Sequence, residues 1–204
     1  MKLYVNQTSP YARKVRVVVR EKNLNGQVAL IEVDPWNDPP ALLEVSPLSR
    51  VPVLVTGGKL VITESDAICR YLDDQWPAPA MAAAGAGIAE RSEVVSRIGL
   101  LQGMIDSAFD AVIERRRPAA QQWPDWISRQ QRAVERGLSV IANLHRPDDR
   151  FDLGDVSLAC LLGYLDFRHP LIGWHTTWPA LSTWFEKVSR RPSMASTGPD
   201  EPVC

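Results

Sequence analysis

The chain has 204 residues, 45% of them hydrophobic, which is enough for one large domain or two small ones around a well-buried core. Lys plus Arg number 23 against 24 for Asp plus Glu, so no global field holds a polyanion or draws the chain onto an acidic membrane, and nucleic acid and membrane are not expected as partners. Cys69, Cys160 and Cys204 are odd in number and widely spaced, which speaks against a disulfide framework or a zinc site and for a reducing cytoplasm.

The first residues, Met1 to Val5, are a short apolar stretch followed by polar Asn6, Gln7 and Thr8. They lack the apolar core of a signal peptide, and no later run is continuously apolar for long enough to cross a bilayer. Leu3 to Val5 reads as a strand. Ser9-Pro10 is a strong helix start, because Pro at the first helical position has no amide hydrogen to leave unpaired, and a helix over residues 10–22 follows. Its Tyr11, Val15, Val18 and Val19 share one face; Arg13 and Lys14 are read as a solvated face, or as cations facing a bound anion. Val28 to Val33 is a second strand, and the order strand, helix, strand requires a right-handed crossover between parallel partners.

A short helix and then a hairpin come next. Val53 to Val55 and Leu60 to Ile62 flank Thr56-Gly57-Gly58-Lys59, whose glycines are expected to supply the positive φ of a tight turn. Ser65 then caps a helix with Ala67, Ile68, Tyr71 and Leu72 as its apolar face. From Ala78 to Gly87 the chain is Ala, Pro and Gly without charge or apolar period, which reads as a linker. Beyond it the pattern is helical, with helices expected over residues 89–117, 124–144, 154–167 and 181–190. Asp152 and Asp155 stand three apart before a run of apolar residues, so Asp152 caps a buried helix whose first turn carries a carboxylate favoured by the dipole. The expected plan is a βαβαββα domain over 1–78, a linker over 79–88 and an all-helical domain over 89–204.

In a βαβ…ββα layout the helices starting at Ser9 and Ser65 face one end of the sheet. Helix N-termini carry unsatisfied amide hydrogens and partial positive charge, so two of them converging on one cleft suit a ligand with separated anionic groups. The segment Ser46-Pro47-Leu48-Ser49-Arg50-Val51-Pro52-Val53-Leu54, followed ten residues later by Glu64-Ser65-Asp66-Ala67-Ile68, resembles the signature of the glutathione S-transferase family. The Ser-Pro-Tyr start at Ser9 resembles its bacterial members, and the Asp152/Asp155 segment resembles the family's buried-helix start.

The resemblance implies a thioredoxin-like front domain, an all-α rear domain that forms the electrophile site, and glutathione as co-substrate with no metal. It implies that Glu64 pairs with the γ-glutamyl ammonium and Ser65 with its carboxylate, that Val51 contacts the cysteinyl backbone beside a cis bond at Pro52, and that Arg50 lies near the glycine carboxylate. Ser9 is the candidate for thiol activation, with Tyr4 and Tyr11 as substitutes. Tyr11, Gln102, Asp106 and Arg115 are candidates for a second-substrate or cross-dimer role. The implied activity is conjugation to, or reduction of, a small electrophile by a cytoplasmic homodimer. A non-catalytic interaction module on the same fold is the alternative.

Each residue also has a plainer reading. Ser9 is an ordinary helix cap, Glu64-Ser65 a polar helix start and Pro52 an edge-strand proline. Arg115-Arg116-Arg117 sits where a helix C-terminus welcomes cations, or lines a pocket. His145, His169 and His175 lack metal-ligand spacing and are read as structural, and the tryptophans of the rear half as packing residues or a wall of an apolar site.

Overall fold

The computed structural model describes residues 1–82, 87–144 and 150–199. These fall into two compact units, one drawn from Met1–Gly85 and Arg191–Cys204 and the other from Ala86–Arg190. Part of the expected linker, residues 83–86, lies outside the described residues, as do His145 and Cys204.

The first unit is built on strands β1 (Lys2–Val5), β2 (Ala29–Glu32), β3 (Val53–Val55) and β4 (Val61–Thr63), in the order β2-β1-β3-β4. β1 is parallel to β2 and antiparallel to β3, which is antiparallel to β4. Helix α1 (Pro10–Glu21) makes the crossover, the single turn α2 (Pro40–Leu43) precedes β3, and α3 (Ser65–Gln75) follows β4. Leu3, Val5, Val15, Val18, Leu54, Ile68 and Leu72 are fully buried and form the core.

The hairpin turn differs from expectation. The left-handed residue is Lys59, at φ 64°, and neither Gly57 nor Gly58 has positive φ. Lys59 N donates to Thr56 O at 3.0 Å and Leu60 N to Thr56 Oγ1 at 3.1 Å. A four-residue loop of this kind turns first with ordinary φ and places the left-handed residue after the turn.

Arg13 and Lys14 are not solvated, being 8% and 1% exposed. The reason is the chain's return: α9 (Pro192–Ala195) packs on α1, where the Arg13 guanidinium donates to Met194 O, and Lys14 Nζ meets Asp66 Oδ1 at 2.5 Å. Arg191 holds Glu21 through two bonds of 3.0 and 2.7 Å, and Ser193 Oγ donates to the same carboxylate. The described residues 191–199 therefore cluster with the first unit.

At the other end of α1, the buried Lys22 ammonium bonds Asp73 Oδ1 at 2.6 Å, Trp76 O at 2.6 Å and Pro79 O at 2.9 Å. Asp73 in turn accepts from Met81 N and Ala82 N. Every proton of the ammonium has a partner, which is the condition for keeping a charge away from water.

The second unit holds α4 (Ile88–Arg115), α5 (Pro124–Leu144), α6 (Leu153–Arg168), α7 (Trp174–Thr177) and α8 (Pro179–Ser189). α6 is buried nearly all round and packs between α4 and α8. Its start is a capping box: Asp155 N donates to Asp152 Oδ1 at 2.9 Å and Asp152 N to Asp155 Oδ2 at 3.0 Å. Arg97 of α4 adds a guanidinium 2.5 Å from Asp152 and 3.6 Å from Asp155. Gly154 makes room for it, since a Cβ there would stand 2.4 Å from Arg97 Nε. Burial, and then Asp152, push the Asp155 carboxyl up to about 7, while Arg97 pulls it down. Among the described residues no helix is long and apolar enough to cross a membrane.

Candidate functional site

Strand register decides which sequence candidates meet. Tyr4 pairs with Val53, Val5 with Glu32 and Val53 with Thr63. The C-terminal ends of β1, β2 and β4 and the N-terminal end of β3 therefore share one edge of the sheet. Ser9 follows β1, a helical turn at Pro35–Asn37 follows β2, Val51-Pro52 precedes β3 and Glu64-Ser65 follows β4, so all of them emerge at that edge.

Ser9 is the N-cap of α1 in extended conformation, and its Oγ accepts from Ala12 N at 3.2 Å. That leaves the hydroxyl hydrogen available for a second group. Asn6 shapes the approach: its Oδ1 accepts from Thr8 N and from Thr8 Oγ1, and its Nδ2 donates to Val33 O at 3.2 Å, joining the ends of β1 and β2. Sequence reading passed over Asn6, although an Asn accepting from the amide two residues on is a known turn device. Tyr4 is 8% exposed and packs with Leu42 and Val53, which fits a strand residue, and Tyr11 is half-buried in the first turn of α1.

The loop before β3 is held by two serines. Ser46 Oγ donates to Arg50 O at 3.1 Å and accepts from Arg50 N at 3.3 Å, and Ser49, at φ 49°, donates from Oγ to Pro35 O at 2.9 Å. The Val51-Pro52 bond is cis. Val51 is half-buried and Arg50 exposed.

The start of α3 is unlike an ordinary cap. Glu64 occupies the cap position at φ 68° and ψ 127° and makes no side-chain capping bond. A non-glycine residue held there costs on the order of 1 to 3 kcal/mol and persists where the surroundings impose it. Ser65 is 2% exposed, and its Oγ has no hydrogen-bond partner among the described residues. A buried hydroxyl without a partner costs ~1 to 3 kcal/mol. Two costs in adjacent residues, beside the first amides of a helix, mark a place shaped for something other than stability.

The remaining candidates lie in the helical unit. Gln102 Nε2 donates to Asp106 Oδ1 at 3.0 Å within α4. Arg115, the last residue of α4, bonds His169 Nδ1 at 3.0 Å, while His169 Nε2 faces Ala108 O at 2.9 Å. His169 therefore carries its proton on Nε2 and is neutral. Burial first, with Arg115 and Arg168 beside it, lowers its pKa to about 4. No group of three or more His, Cys, Asp or Glu able to hold a metal occurs among the described residues.

A four-stranded mixed sheet of this order, with helices on it and a helical unit after it, defines a thioredoxin-like protein with an appended helical domain. The chain matches the glutathione S-transferase N-terminal domain over residues 8–75 and the glutathione S-transferase C-terminal domain over 124–187. It is 32% identical, over 98% of both chains, to the uncharacterized GST-like protein YibF of Escherichia coli (strain K12). Among solved structures it resembles a glutathione S-transferase from Methylobacillus flagellatus KT with GSH bound, at 32% identity and a TM-score of 0.90 over 98% of this chain and 99% of that one. It also resembles a glutathione S-transferase from Methylobacterium radiotolerans JCM 2831 in complex with glutathione sulfonate, at 30% identity and a TM-score of 0.90 over 100% and 96%. The chain belongs to the glutathione S-transferase family.

Proposed function

We propose that this chain binds glutathione at the strand edge carrying Ser9, Val51 and Ser65, and activates its thiol for conjugation to, or reduction of, a small electrophile. The observation that carries the reading is the start of α3, where a buried Ser65 hydroxyl and uncapped amides suit a carboxylate. Relatives at 32% and 30% identity, one with GSH bound and one in complex with glutathione sulfonate, support it.

In this reading the γ-glutamyl carboxylate accepts from Ser65 Oγ and the first amides of α3, and Glu64 takes the ammonium. Val51 pairs its main chain with the cysteinyl residue, next to Pro52, and Arg50 answers the glycine carboxylate. The Ser9 hydroxyl, already accepting from Ala12 N, donates its hydrogen to the sulfur.

Lowering a thiol by ~2 units takes roughly 2.7 kcal/mol. A hydrogen bond to a charged group contributes roughly 1.5 to 3 kcal/mol, and a helix terminus ~0.3 to 1. The two together suffice without a general base. The thiolate then attacks an electrophilic carbon, whose leaving group departs with the bonding electrons, or one sulfur of a disulfide, forming a mixed disulfide as the old S–S bond breaks and the other sulfur leaves as a thiolate.

The same reading assigns residues 1–78 to glutathione and the helical residues from 89 onward to the electrophile, and makes the protein a cytoplasmic homodimer. Retention on immobilised glutathione, followed by the conjugation rate of Ser9→Ala with a generic aryl halide, tests it. Retention with a rate lowered at least tenfold is expected. Retention with an unchanged rate removes Ser9 as the activating group, and no retention favours an interaction module on the same fold. A monomer in sedimentation at micromolar concentration contradicts the dimer.

A further inference from the structure

Asp166 near the end of α6, His175 in α7 and Ser182 at the start of α8 form a line of hydrogen bonds that the glutathione site does not use. Ser182 Oγ stands 2.8 Å from His175 Nδ1, and His175 Nε2 stands 3.0 Å from Asp166 Oδ1. The same Asp166 oxygen accepts from Trp174 Nε1 at 2.7 Å. A carboxylate only accepts, so it takes the Nε2 hydrogen, and the neutral imidazole keeps a bare lone pair on Nδ1. Ser182 is then the donor. Its hydroxyl hydrogen points at a base that a carboxylate orients from the far side, which is the arrangement that makes a serine nucleophilic.

The imidazole is held on one face and still reaches solvent. The buried indole of Trp174 stacks on it at 3.8 Å and 26°, and Phe185 of α8 holds that indole edge to face at 5.5 Å. The His175 and Asp166 side chains nonetheless remain 45% and 38% exposed. Polar pairs this open to water add little to stability, and the Trp174–Phe185 contact already fastens α7 to α8. The core therefore orients the line of bonds while depending on it only weakly.

Ser182 is the fourth residue of α8, whose start has no side-chain cap. Pro179 has no amide hydrogen, and the amides of Ala180 and Leu181 come before the first bond of the helix, from Ser182 N to Trp178 O at 3.1 Å. These amides immediately precede Ser182 in the chain, at the positive end of the helix. A negative oxygen forming next to Ser182 Oγ is favoured there.

We propose that Ser182, His175 and Asp166 form a hydrolytic site, wholly within the helical unit, that cleaves carboxylic esters without glutathione. Ser182 Oγ bonds to the acyl carbon as its hydrogen passes to His175 Nδ1, and the ester C–O bond breaks with that hydrogen going to the leaving alcohol. Water then attacks the acyl-serine, giving a hydrogen to His175 and its hydroxyl to the acyl carbon, and the hydrogen returns to Ser182 Oγ. The sum is ester plus water to acid plus alcohol. Asp166 is a positioning residue, since it touches the imidazole and not the ester. Neither Ser9, Ser65 nor glutathione takes part, so the site stands or falls apart from the function proposed above.

The test is release of nitrophenolate from p-nitrophenyl acetate by the full chain with no glutathione present, together with labelling of the parent chain by a fluorophosphonate, which loses fluoride to an activated serine. Saturable hydrolysis faster than that by free imidazole at equal concentration is expected, with the phosphonyl group located on Ser182 by peptide mass. Ser182→Ala and His175→Gln are each expected to lower kcat about tenfold or more and to abolish the labelling. Asp166→Asn is expected to lower kcat about tenfold at unchanged KM and unchanged far-ultraviolet dichroism, with Asp166→Glu restoring part of the rate. Hydrolysis no faster than by imidazole, a kcat indifferent to Ser182→Ala or to Asp166→Asn, or a phosphonyl group found elsewhere or nowhere overturns the proposal.

Discussion

Two helix N-termini in this molecule, those of α3 and α6, begin with similar residues and are finished in opposite ways. At α6 the Asp152 and Asp155 side chains close on each other's amides and Arg97 closes on both, so the donors and charges are answered from within. At α3 the cap residue makes no side-chain bond, its backbone is held at positive φ, and the Ser65 hydroxyl is buried without a partner among the described residues. A helix start answered internally serves the fold, and one kept unanswered at a cost is what the proposed ligand site would use.

The sealed end is the easier to break. Arg97→Ala leaves Asp152 and Asp155 facing one another without their cation, and is expected to cost roughly 3 kcal/mol in urea unfolding. Glutathione affinity per folded molecule should not move. An equal fall in affinity would mean that the two helix starts are not separate in function.

The helical unit should also respond to acid through His169. An unfolded His titrates near 6.5 and the folded one near 4, so between these values the unfolded state binds more protons and stability falls as pH drops. The loss is roughly 3 kcal/mol by pH 4. Asp155 acts in the opposite sense, since its raised pKa makes stability fall as pH rises from about 4 to about 7. Asp155→Asn is therefore expected to steepen the acid loss and His169→Gln to remove it, measured as melting temperature between pH 4 and 7. A His169→Gln profile identical to that of the parent chain would assign the acid response elsewhere.

The open end should show the reverse signature. Ser65→Ala is expected to lower glutathione affinity by ~10- to 100-fold, the worth of one bond to a charged group, with a melting temperature unchanged or raised because a buried unpaired hydroxyl is gone. Destabilisation with unchanged affinity would make Ser65 structural. The smallest effect is expected for Glu64→Gly: glycine accepts φ 68° freely, so stability should rise by about 1 kcal/mol while binding falls. Loss of stability there would mean that the Glu64 backbone is not strained.

What was legible beforehand follows the range of the interaction. The α6 cap was visible because Asp152 and Asp155 are three residues apart, and the Ser9 cap because Pro10 follows it. The bounds of α5 at Pro124–Leu144 and of β3 at Val53–Val55 agree with the pattern, since both rest on local periodicity. Arg97 was invisible as a partner of Asp152 because 55 residues separate them. Lys14 and Arg13 were misread for the same reason: their burial depends on Asp66 and on the returning segment at Met194, which no window on α1 contains. The short α7 and α9, four residues each, carry too little periodicity to be seen. At the strand edge the residues were legible and their costs were not, because neither the φ of Glu64 nor the isolation of Ser65 is written in composition.

The clasp of Glu21 by Arg191 and Ser193 has a consequence for synthesis. The first unit is made of two pieces of chain with the whole helical unit threaded between them. On a ribosome the sheet and its crossover emerge first, yet α1 keeps one flank bare until more than a hundred further residues have been translated. The earliest part of the molecule to appear is thus the last to be completed, and a nascent chain stalled within the helices would present that flank to whatever chaperone is at hand.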